Sequence, residues 1–165
     1  MVEMPKVDTT EPGDVKRFVQ FPFRLYQGCP QWVPPLVSSE RKQLDRERHP
    51  FYRHSDADFF LALQNGQVVG RIAVLDPRKR NAYRDRDGTF FYMFDIVEDV
   101  EVARALFAAA FDWTRSRGLE EISGPDGLLP GDGLGVLVKR FEHRPAIGIT
   151  YNHTYYEAHI NDSGF

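Results

Sequence analysis

The alternation of apolar and polar residues between positions 59 and 118 predicts two paired strands, a third strand and a helix, in that order. Phe59–Asp76 contains two apolar runs on either side of Asn65-Gly66, a dipeptide that takes the positive φ angles of a two-residue hairpin turn. Gly88–Val97 is apolar nearly throughout, which is typical of a strand covered on both faces. We therefore expect this third strand in the middle of a sheet.

The segment that follows this strand has the spacing of an amphipathic helix. Between Glu98 and Gly118, apolar residues recur every three or four positions, at Val100, Ala103, Leu106, Phe107, Ala110 and Phe111. Gly118 is a common type of helix stop. Many α/β proteins bind a phosphorylated cofactor where a strand leads into a helix N-terminus, so we look for a functional site at this junction.

Two elements are expected before the hairpin, and a proline limits each of them. Val2–Thr9 is compatible with an edge strand, because an edge tolerates the missing backbone donor of Pro5. Apolar residues between Val15 and Tyr26 have helical spacing, and Pro22 lies inside that segment. Because proline removes a backbone donor, we expect Pro22 to kink or split this helix.

The remaining segments are predicted to be connectors and surface structure. Trp32–Leu36 (WVPPL) is too rich in proline for a helix, and the polar segment after it is expected to form a short exposed helix capped by Ser38 or Ser39. Asp76–Gly88 is highly charged and is interpreted as a solvated loop. Gly131–Gly135 lacks the Lys-Ser/Thr pair of a phosphate-binding loop, so we interpret it as a flexible surface turn.

Length and composition indicate one globular domain over residues 1–165. The chain has 42% apolar and 13% aromatic residues, which is enough to build a core and argues against disorder. Its net charge of −3 provides no basic surface for nucleic acid, so a nucleic-acid partner is not expected. A single cysteine, Cys29, excludes an internal disulfide.

The sequence gives no sign of insertion into a membrane. The first residues contain neither the basic region nor the apolar region of a signal peptide. No apolar run approaches the roughly 20 residues that span a bilayer. The expected location is therefore the bacterial cytoplasm, without a membrane partner.

In order and pattern these elements resemble the GNAT N-acetyltransferase superfamily, and within it a group of bacterial GNAT-like proteins. The resemblance covers most of the chain and rests on Trp32–Leu36, His49–Phe51, Phe59–Asp76, Glu101–Trp113, Ile122–Pro125, Gly135–Phe141, Tyr151–Tyr156 and Ser163–Phe165. It implies an α/β fold with a mixed, largely antiparallel sheet flanked by helices. In the superfamily, a segment that ends in Gly-Phe leads into two further strands, whereas this sequence stops at that point.

Three explanations for the two missing strands remain open. The chain is a fragment of a longer protein, a second copy fills the edge of the sheet, or the fold is a reduced one. An unpaired strand edge beside apolar surface favours association. We therefore expect a homodimer or a missing C-terminal half rather than a well-behaved monomer.

The resemblance implies an acyl-CoA-dependent N-acyltransferase that uses acetyl-CoA or another acyl-CoA, with a small-molecule or peptide amine as the acceptor. The histidines and the cysteine do not have the spacing of a zinc site, so no metal is expected. A hypothesis of a different class remains open beside it. In that hypothesis the chain is a non-catalytic GNAT-like module with a degenerate CoA site, and it binds a ligand or a partner.

The superfamily binds the CoA diphosphate with backbone amides between the central strand and the following helix. On this sequence, the corresponding backbone belongs to Ile96, Val97, Val100, Glu101, Val102 and Ala103. Glu98 stands at the Gln/Arg position of the family motif, and Glu101 stands at its glycine position. A carboxylate repels a diphosphate and is also common in the first turn of any helix. These departures favour the non-catalytic hypothesis.

Two residues are candidates for the catalytic chemistry. Asp95 is the only carboxylate in the apolar part of the central strand, and it is interpreted either as a general base or as a hydrogen-bond partner of the next turn. The superfamily has a tyrosine acid four residues before Gly-Phe, where this chain has Ile160. Tyr156, one helical turn earlier, is the candidate replacement or else a packing residue.

Overall fold

The chain forms five helices, one 3-10 turn and four strands, and the computed structural model describes all of residues 1–165. The helices are α1 (Pro12–Leu25), α2 (Val37–Leu44), α3 (Arg78–Arg84), α4 (Val100–Ser116) and α5 (Tyr156–Asn161), and the 3-10 turn is Pro50–Arg53. The strands are β1 (Asp56–Gln64), β2 (Gln67–Asp76), β3 (Gly88–Ile96) and β4 (Glu121–Ser123).

The four strands form one sheet in the order β1-β2-β3-β4. Strands β1, β2 and β3 are antiparallel neighbours, whereas β4 pairs with β3 in parallel. Asn65 and Gly66 have φ angles of 51° and 74°, which is the backbone of the predicted two-residue hairpin turn. The predicted mixed, largely antiparallel sheet and the interior position of β3 are confirmed.

Apolar side chains fill both faces of this sheet. On one face, α1 and α2 cover the hairpin through buried residues that include Phe18, Val19, Leu44, Phe59 and Leu75. On the other face, α4 and α5 cover β2 and β3 through Ile72, Phe91, Leu106, Phe107 and Ile160, among others. The apolar stripe predicted for α4 is therefore its buried side. None of the helices has the length and apolar composition needed to cross a membrane.

The N-terminal segment runs along the outer edge of β1, as expected, but it forms only two isolated bridges. Glu3 pairs with Leu63 and Lys6 pairs with Phe60, both antiparallel. Pro5 lies between the two bridges and contributes only its carbonyl, which accepts the Leu61 N–H at 3.1 Å. The missing donor of Pro5 thus interrupts the ladder without displacing the segment.

Helix α1 continues through Pro22, so the expected split is absent. Proline in a helix leaves the carbonyl four residues earlier without its usual donor, and here that carbonyl belongs to Phe18. Arg71 of β2 fills the vacancy, because its Nη1 donates to the Phe18 carbonyl at 3.1 Å. A side chain of the sheet therefore compensates for the bond that proline removes.

Two surface segments differ from the sequence interpretation. Helix α2 begins at Val37 without a side-chain cap, and Glu40 and Leu44 are buried rather than exposed. Ser38 and Ser39 lie inside the helix, because it begins directly after the proline-rich connector, with Leu36 at its N-cap. Asp76–Gly88 is not only a loop, since it contains α3, a helix that buries none of its residues.

Candidate functional site

A cleft of about 380 Å³ opens beside β3, where the sheet splits. Strands β3 and β4 pair only between Gly88–Phe90 and Glu121–Ser123. Further along β3, Met93 has a φ angle of 49° and the pairing with β2 shifts in register, which marks a β-bulge. The cleft is lined by β3 from Tyr92 to Asp95, by residues of α1 and α2, and by parts of the loop from 131 to 152.

The two predicted catalytic residues lie in contact at the wall of this cleft. The Tyr156 hydroxyl donates to Asp95 Oδ1 at 3.3 Å and accepts the backbone N–H of Ile96 at 3.1 Å. Tyr156 opens α5 and Asp95 is the penultimate residue of β3, so the site forms where this helix meets the strand end. Ile160, one turn further along α5, is buried in the core formed with α4.

Sequence reasoning missed Arg71, which holds Asp95 in place, and Glu40, which shares the same guanidinium. Arg71 Nε donates to Asp95 Oδ2 at 2.8 Å, and Arg71 Nη1 lies 3.4 Å from Glu40 Oε2. All three side chains are buried. The available signal was Arg71 itself, a lone cation in the apolar strand β2, because a buried charge requires a partner of opposite sign.

Tyr26 is the other functional candidate that sequence reasoning missed. Its hydroxyl is 3.2 Å from Asp95 Oδ1 and 3.0 Å from the Tyr156 hydroxyl, so two phenols meet at one carboxylate oxygen. The Tyr26 ring is stacked between Trp32 and His153, with centroid distances of 5.0 and 4.7 Å. This stack fixes the Tyr26 phenol at the end of α1. No motif in the sequence indicates this role of Tyr26.

Burial determines the protonation of this cluster. The pKa values of Tyr26 and Tyr156 are raised well above 10, mainly because burial disfavours the phenolate, and the Asp95 carboxylate adds to both shifts. Burial also raises the pKa of Glu40, while the Arg71 guanidinium opposes that rise. Both phenols are therefore protonated at neutral pH and serve Asp95 as hydrogen-bond donors.

The backbone predicted to bind a cofactor lies at the start of α4, and most of it is engaged within the protein. Internal hydrogen bonds use the N–H groups of Ile96, Val97, Glu101, Val102 and Ala103, and Val100 is the first residue of the helix. Asp99 caps the helix, because its Oδ1 accepts the Glu101 N–H at 2.9 Å. Its carbonyl accepts the next two N–H groups, at 3.2 and 3.3 Å.

Three carboxylates therefore occupy the start of α4, on Glu98, Asp99 and Glu101. The Glu101 side chain points into solvent and pairs with Arg104 at 2.6 Å. Negative charge stabilises the N-terminus of a helix, but it opposes the approach of a diphosphate. A diphosphate that docked on these amides would have to displace the Asp99 cap.

The glycine-rich segment Gly131–Gly135 forms part of the cleft wall, whereas the sequence suggested a free surface turn. A Cβ atom on Gly133 would lie 2.8 Å from the Tyr92 ring, so only glycine permits this approach. Asp132 lines the same wall, and its Oδ2 accepts the Leu129 N–H at 2.9 Å. No group of three or more His, Cys, Asp or Glu side chains is arranged to hold a metal ion.

Sequence comparison finds two curated bacterial relatives, although no protein-family model matches the chain. Over 154 residues the chain is 35% identical to Protein YghO of Escherichia coli (strain K12), a match that covers 93% of this chain and 39% of that protein. Over 164 residues it is 30% identical to a bacterial ceramide synthase of Caulobacter vibrioides, with 99% and 43% coverage. The chain thus spans about two fifths of the length of these relatives.

Structural comparison decides the fold. An aminoglycoside acetyltransferase from an uncultured soil metagenomic sample, solved with sisomicin, superposes over 99% of this chain and 87% of its own, with a TM-score of 0.59 and 9% identity. Other matching structures are described as GNAT proteins. The chain has the GNAT fold. At such low identity the similarity establishes the GNAT fold alone, and the chemistry has to be argued from the cleft.

Proposed function

We propose that this chain carries the catalytic site of an acyl-CoA-dependent N-acyltransferase that acts on a small-molecule amine. The observation that carries the proposal is the hydrogen bond of 3.3 Å between Tyr156 and Asp95, in a cleft at the split of a GNAT sheet. Because the chain spans about two fifths of its curated relatives, the proposal concerns the chemistry of this cleft.

The proposed reaction needs one proton acceptor and one proton donor. An acyl-CoA thioester supplies the activated acyl group. Asp95 accepts the proton that the amine loses as its nitrogen bonds to the acyl carbon, and Tyr156 donates its hydroxyl proton to the departing sulfur. Since these two groups share a hydrogen bond, Asp95 returns a proton to Tyr156 and the site regains its starting state.

Arg71 and Tyr26 act in this proposal as positioning residues. Arg71 engages Asp95 Oδ2, which directs the other carboxylate oxygen, Oδ1, towards the two phenols. The Tyr26 hydroxyl lies within hydrogen-bond distance of both Asp95 and Tyr156. It can therefore stabilise Asp95 while the Tyr156 proton is shared with the sulfur.

Charge in the cleft supports an amine as the acceptor. Three carboxylates, on Glu40, Asp95 and Asp132, line the cleft beside one cation, Arg71. The lining is therefore net negative, which attracts a cationic ammonium group. The names of two similar proteins refer to amine chemistry, since sisomicin is an aminoglycoside and a ceramide is the amide of a long-chain amine. Both kinds of amine are therefore included in the test.

Only the thioester end of an acyl-CoA donor fits this site. The cleft next to Tyr156 is open to a thioester, whereas the start of α4 presents carboxylates and engaged amides to a diphosphate. We therefore assign residues to the thioester end alone. Donor affinity is expected to be weak, and the reaction is best assayed at high acyl-CoA concentration.

Thiol release from acetyl-CoA or palmitoyl-CoA, in the presence of sisomicin or sphinganine, tests the proposal. We expect turnover with at least one pair, and a fall of about 100-fold in kcat for Tyr156→Phe and for Asp95→Asn, the usual range for losing an acid or base. Tyr83→Phe is the matched control, because Tyr83 is an exposed phenol on α3. Absence of turnover with every pair, in a folded protein that binds acyl-CoA, contradicts the proposal.

A further inference from the structure

An exposed apolar surface lies beside the cleft, on the loop segment 134–149, which we call the 134–149 lobe. Leu134, Val138, Ile147 and Ile149 expose 74%, 49%, 64% and 64% of their surface. Outside this segment, Leu36 and Leu129 are the only Val, Leu or Ile side chains that are exposed. Several exposed aliphatic residues in one short segment indicate a binding surface, whereas single exposed ones need no explanation.

Hydrogen bonds to residues 151 and 152, just after the lobe, hold its first half in place. The buried side chain of Asn152 accepts the Leu137 N–H at 2.7 Å and donates to the Leu137 carbonyl at 3.1 Å. The Tyr151 hydroxyl donates to the Phe141 carbonyl at 3.2 Å. These bonds close the base of the lobe, which presents its exposed aliphatic side chains to solvent.

The charge of the lobe is opposite in sign to that of the rest of the chain. It contains Lys139, Arg140 and Arg144 but only one carboxylate, on Glu142, so its net charge is +2 in a chain of net charge −3. The other residues together therefore carry −5. Arg140 and His143 lie 3.7 and 3.4 Å from Glu142, at the solvent-exposed tip.

The lobe also forms one side of the cleft mouth. Val136, Ile147 and Ile149 line the cleft, and the two isoleucines are largely exposed at the same time. A surface that bound the lobe would therefore lie directly at the opening through which an amine reaches Asp95.

We propose that the 134–149 lobe docks on the surface of an anionic phospholipid bilayer. Aliphatic side chains next to cations match such a surface, because the side chains enter the headgroup region while Lys and Arg approach the lipid phosphates. The other basic surface, α3 (Arg78–Arg84), exposes no Val, Leu or Ile side chain. The lobe combines cations with exposed aliphatic side chains, so it orients the protein with the cleft facing the lipid. This inference does not depend on the proposed acyltransferase activity.

Vesicle co-sedimentation of the purified chain tests this docking. We expect binding to vesicles that contain phosphatidylglycerol, weak binding to pure phosphatidylcholine vesicles, and loss of binding as salt rises. Lys139→Glu combined with Arg140→Glu should reduce the bound fraction at least tenfold, about the effect of removing two basic residues at an anionic surface. The charge-matched control is Lys79→Glu with Arg84→Glu, two exposed cations on α3.

Ile147→Asp combined with Ile149→Asp provides the test of the apolar contribution. These side chains are exposed, so the variant should keep the thermal midpoint of the unmodified chain and lose vesicle binding. Equal binding to both vesicle types, or an equal loss in the α3 control, overturns the proposal. A salt-resistant dimer that the isoleucine variant abolishes, with no vesicle binding, also overturns it and assigns the lobe to a second copy of the chain.

Discussion

At the scale of single residues, Arg71 connects the parts of the candidate site. It bonds Asp95, approaches Glu40 and donates to the carbonyl that Pro22 leaves free in α1. Its guanidinium lies 5.0 Å from the centre of the Phe18 ring. One buried cation thus serves two carboxylates, a helix and an aromatic ring, and none of these partners is adjacent to it in sequence.

Removing Arg71 is expected to destabilise the protein strongly. Arg71→Met leaves Asp95 and Glu40 buried without a counter-charge, which should cost about 3–5 kcal/mol in the free energy of unfolding. Arg104→Met is the matched control, because Arg104 bonds Glu101 at 2.6 Å and both side chains are exposed, so its loss should cost less than about 1 kcal/mol. Urea denaturation measures both values, and equal costs would contradict the role given to Arg71.

Glu40 gives the stability of the protein a defined pH dependence. Its pKa in the folded protein is raised above the ordinary 4.5, so the unfolded chain ionises first as the pH rises. The stability of the unmodified chain, relative to Glu40→Gln, is therefore greatest below 4.5 and falls as the pH passes through the folded pKa. Urea denaturation of both proteins across this range should show the difference. A gap that does not change with pH would contradict the assignment.

Sequence reasoning named Asp95 and Tyr156 but not Arg71, Glu40 or Tyr26, which lie around them. Asp95 could be named as the only carboxylate in the apolar part of the central strand, and Tyr156 from the resemblance, one helical turn before the family's tyrosine position at Ile160. Arg71 and Tyr26 could not be placed, because their roles depend on the register that sets Arg71 opposite Asp95 and on the end of α1 reaching the same oxygen. Long-range register is a property of the folded sheet and leaves no local signal.

At the scale of elements, the buried side and the N-terminal start of α4 have different roles. Its buried side carries Phe107, whose ring lies 5.1 Å from Phe91, 4.8 Å from Phe94 and 4.8 Å from Phe165. Its start carries the acidic cap described above. Helix α3 shows the opposite case, because it buries no residue and therefore has no apolar periodicity from which it could be predicted.

The two sides of α4 should respond differently to truncation. Phe107→Ala should cost about 3–5 kcal/mol, because it empties a packed aromatic site. Glu101→Ala should cost less than about 1 kcal/mol, because it removes only an exposed charge from the helix start. Denaturant melts of the two variants give both values, and equal midpoint shifts would show that the buried face of α4 is assigned wrongly.

The start of α4 is also expected to control the affinity for acyl-CoA. Glu98→Arg combined with Glu101→Gly removes two repulsive charges, adds one cation and opens the backbone, so the affinity should rise roughly tenfold, about 1.4 kcal/mol. Titration calorimetry with acetyl-CoA measures this change. Glu120→Arg, an exposed charge change beyond the other end of α4, should leave the affinity unaltered. Tight binding by the unmodified chain would refute the argument about the acidic cap.

At the scale of the whole molecule, the sheet separates two apolar cores and joins them through the same strands. The sequence predicted this architecture well, because the Asn65-Gly66 turn, the apolar β3 and the stripe of α4 are strong local signals. It gave less information on the loop from 131 to 152, which lacks periodicity and is shaped by single contacts such as Gly133 against Tyr92. That loop forms one side of the cleft, so the position of the cleft required the structure.

At Pro22, thermal stability and the geometry of the candidate site favour different residues. Pro22→Ala is an obvious stabilising substitution, since the helix would then regain a backbone donor for the Phe18 carbonyl. In that variant the new backbone N–H at position 22 would compete with Arg71 for the Phe18 carbonyl and weaken one of the bonds that hold the guanidinium beside Asp95. Selection for thermal stability alone should therefore favour a variant with a higher unfolding temperature and a lower rate in the proposed reaction.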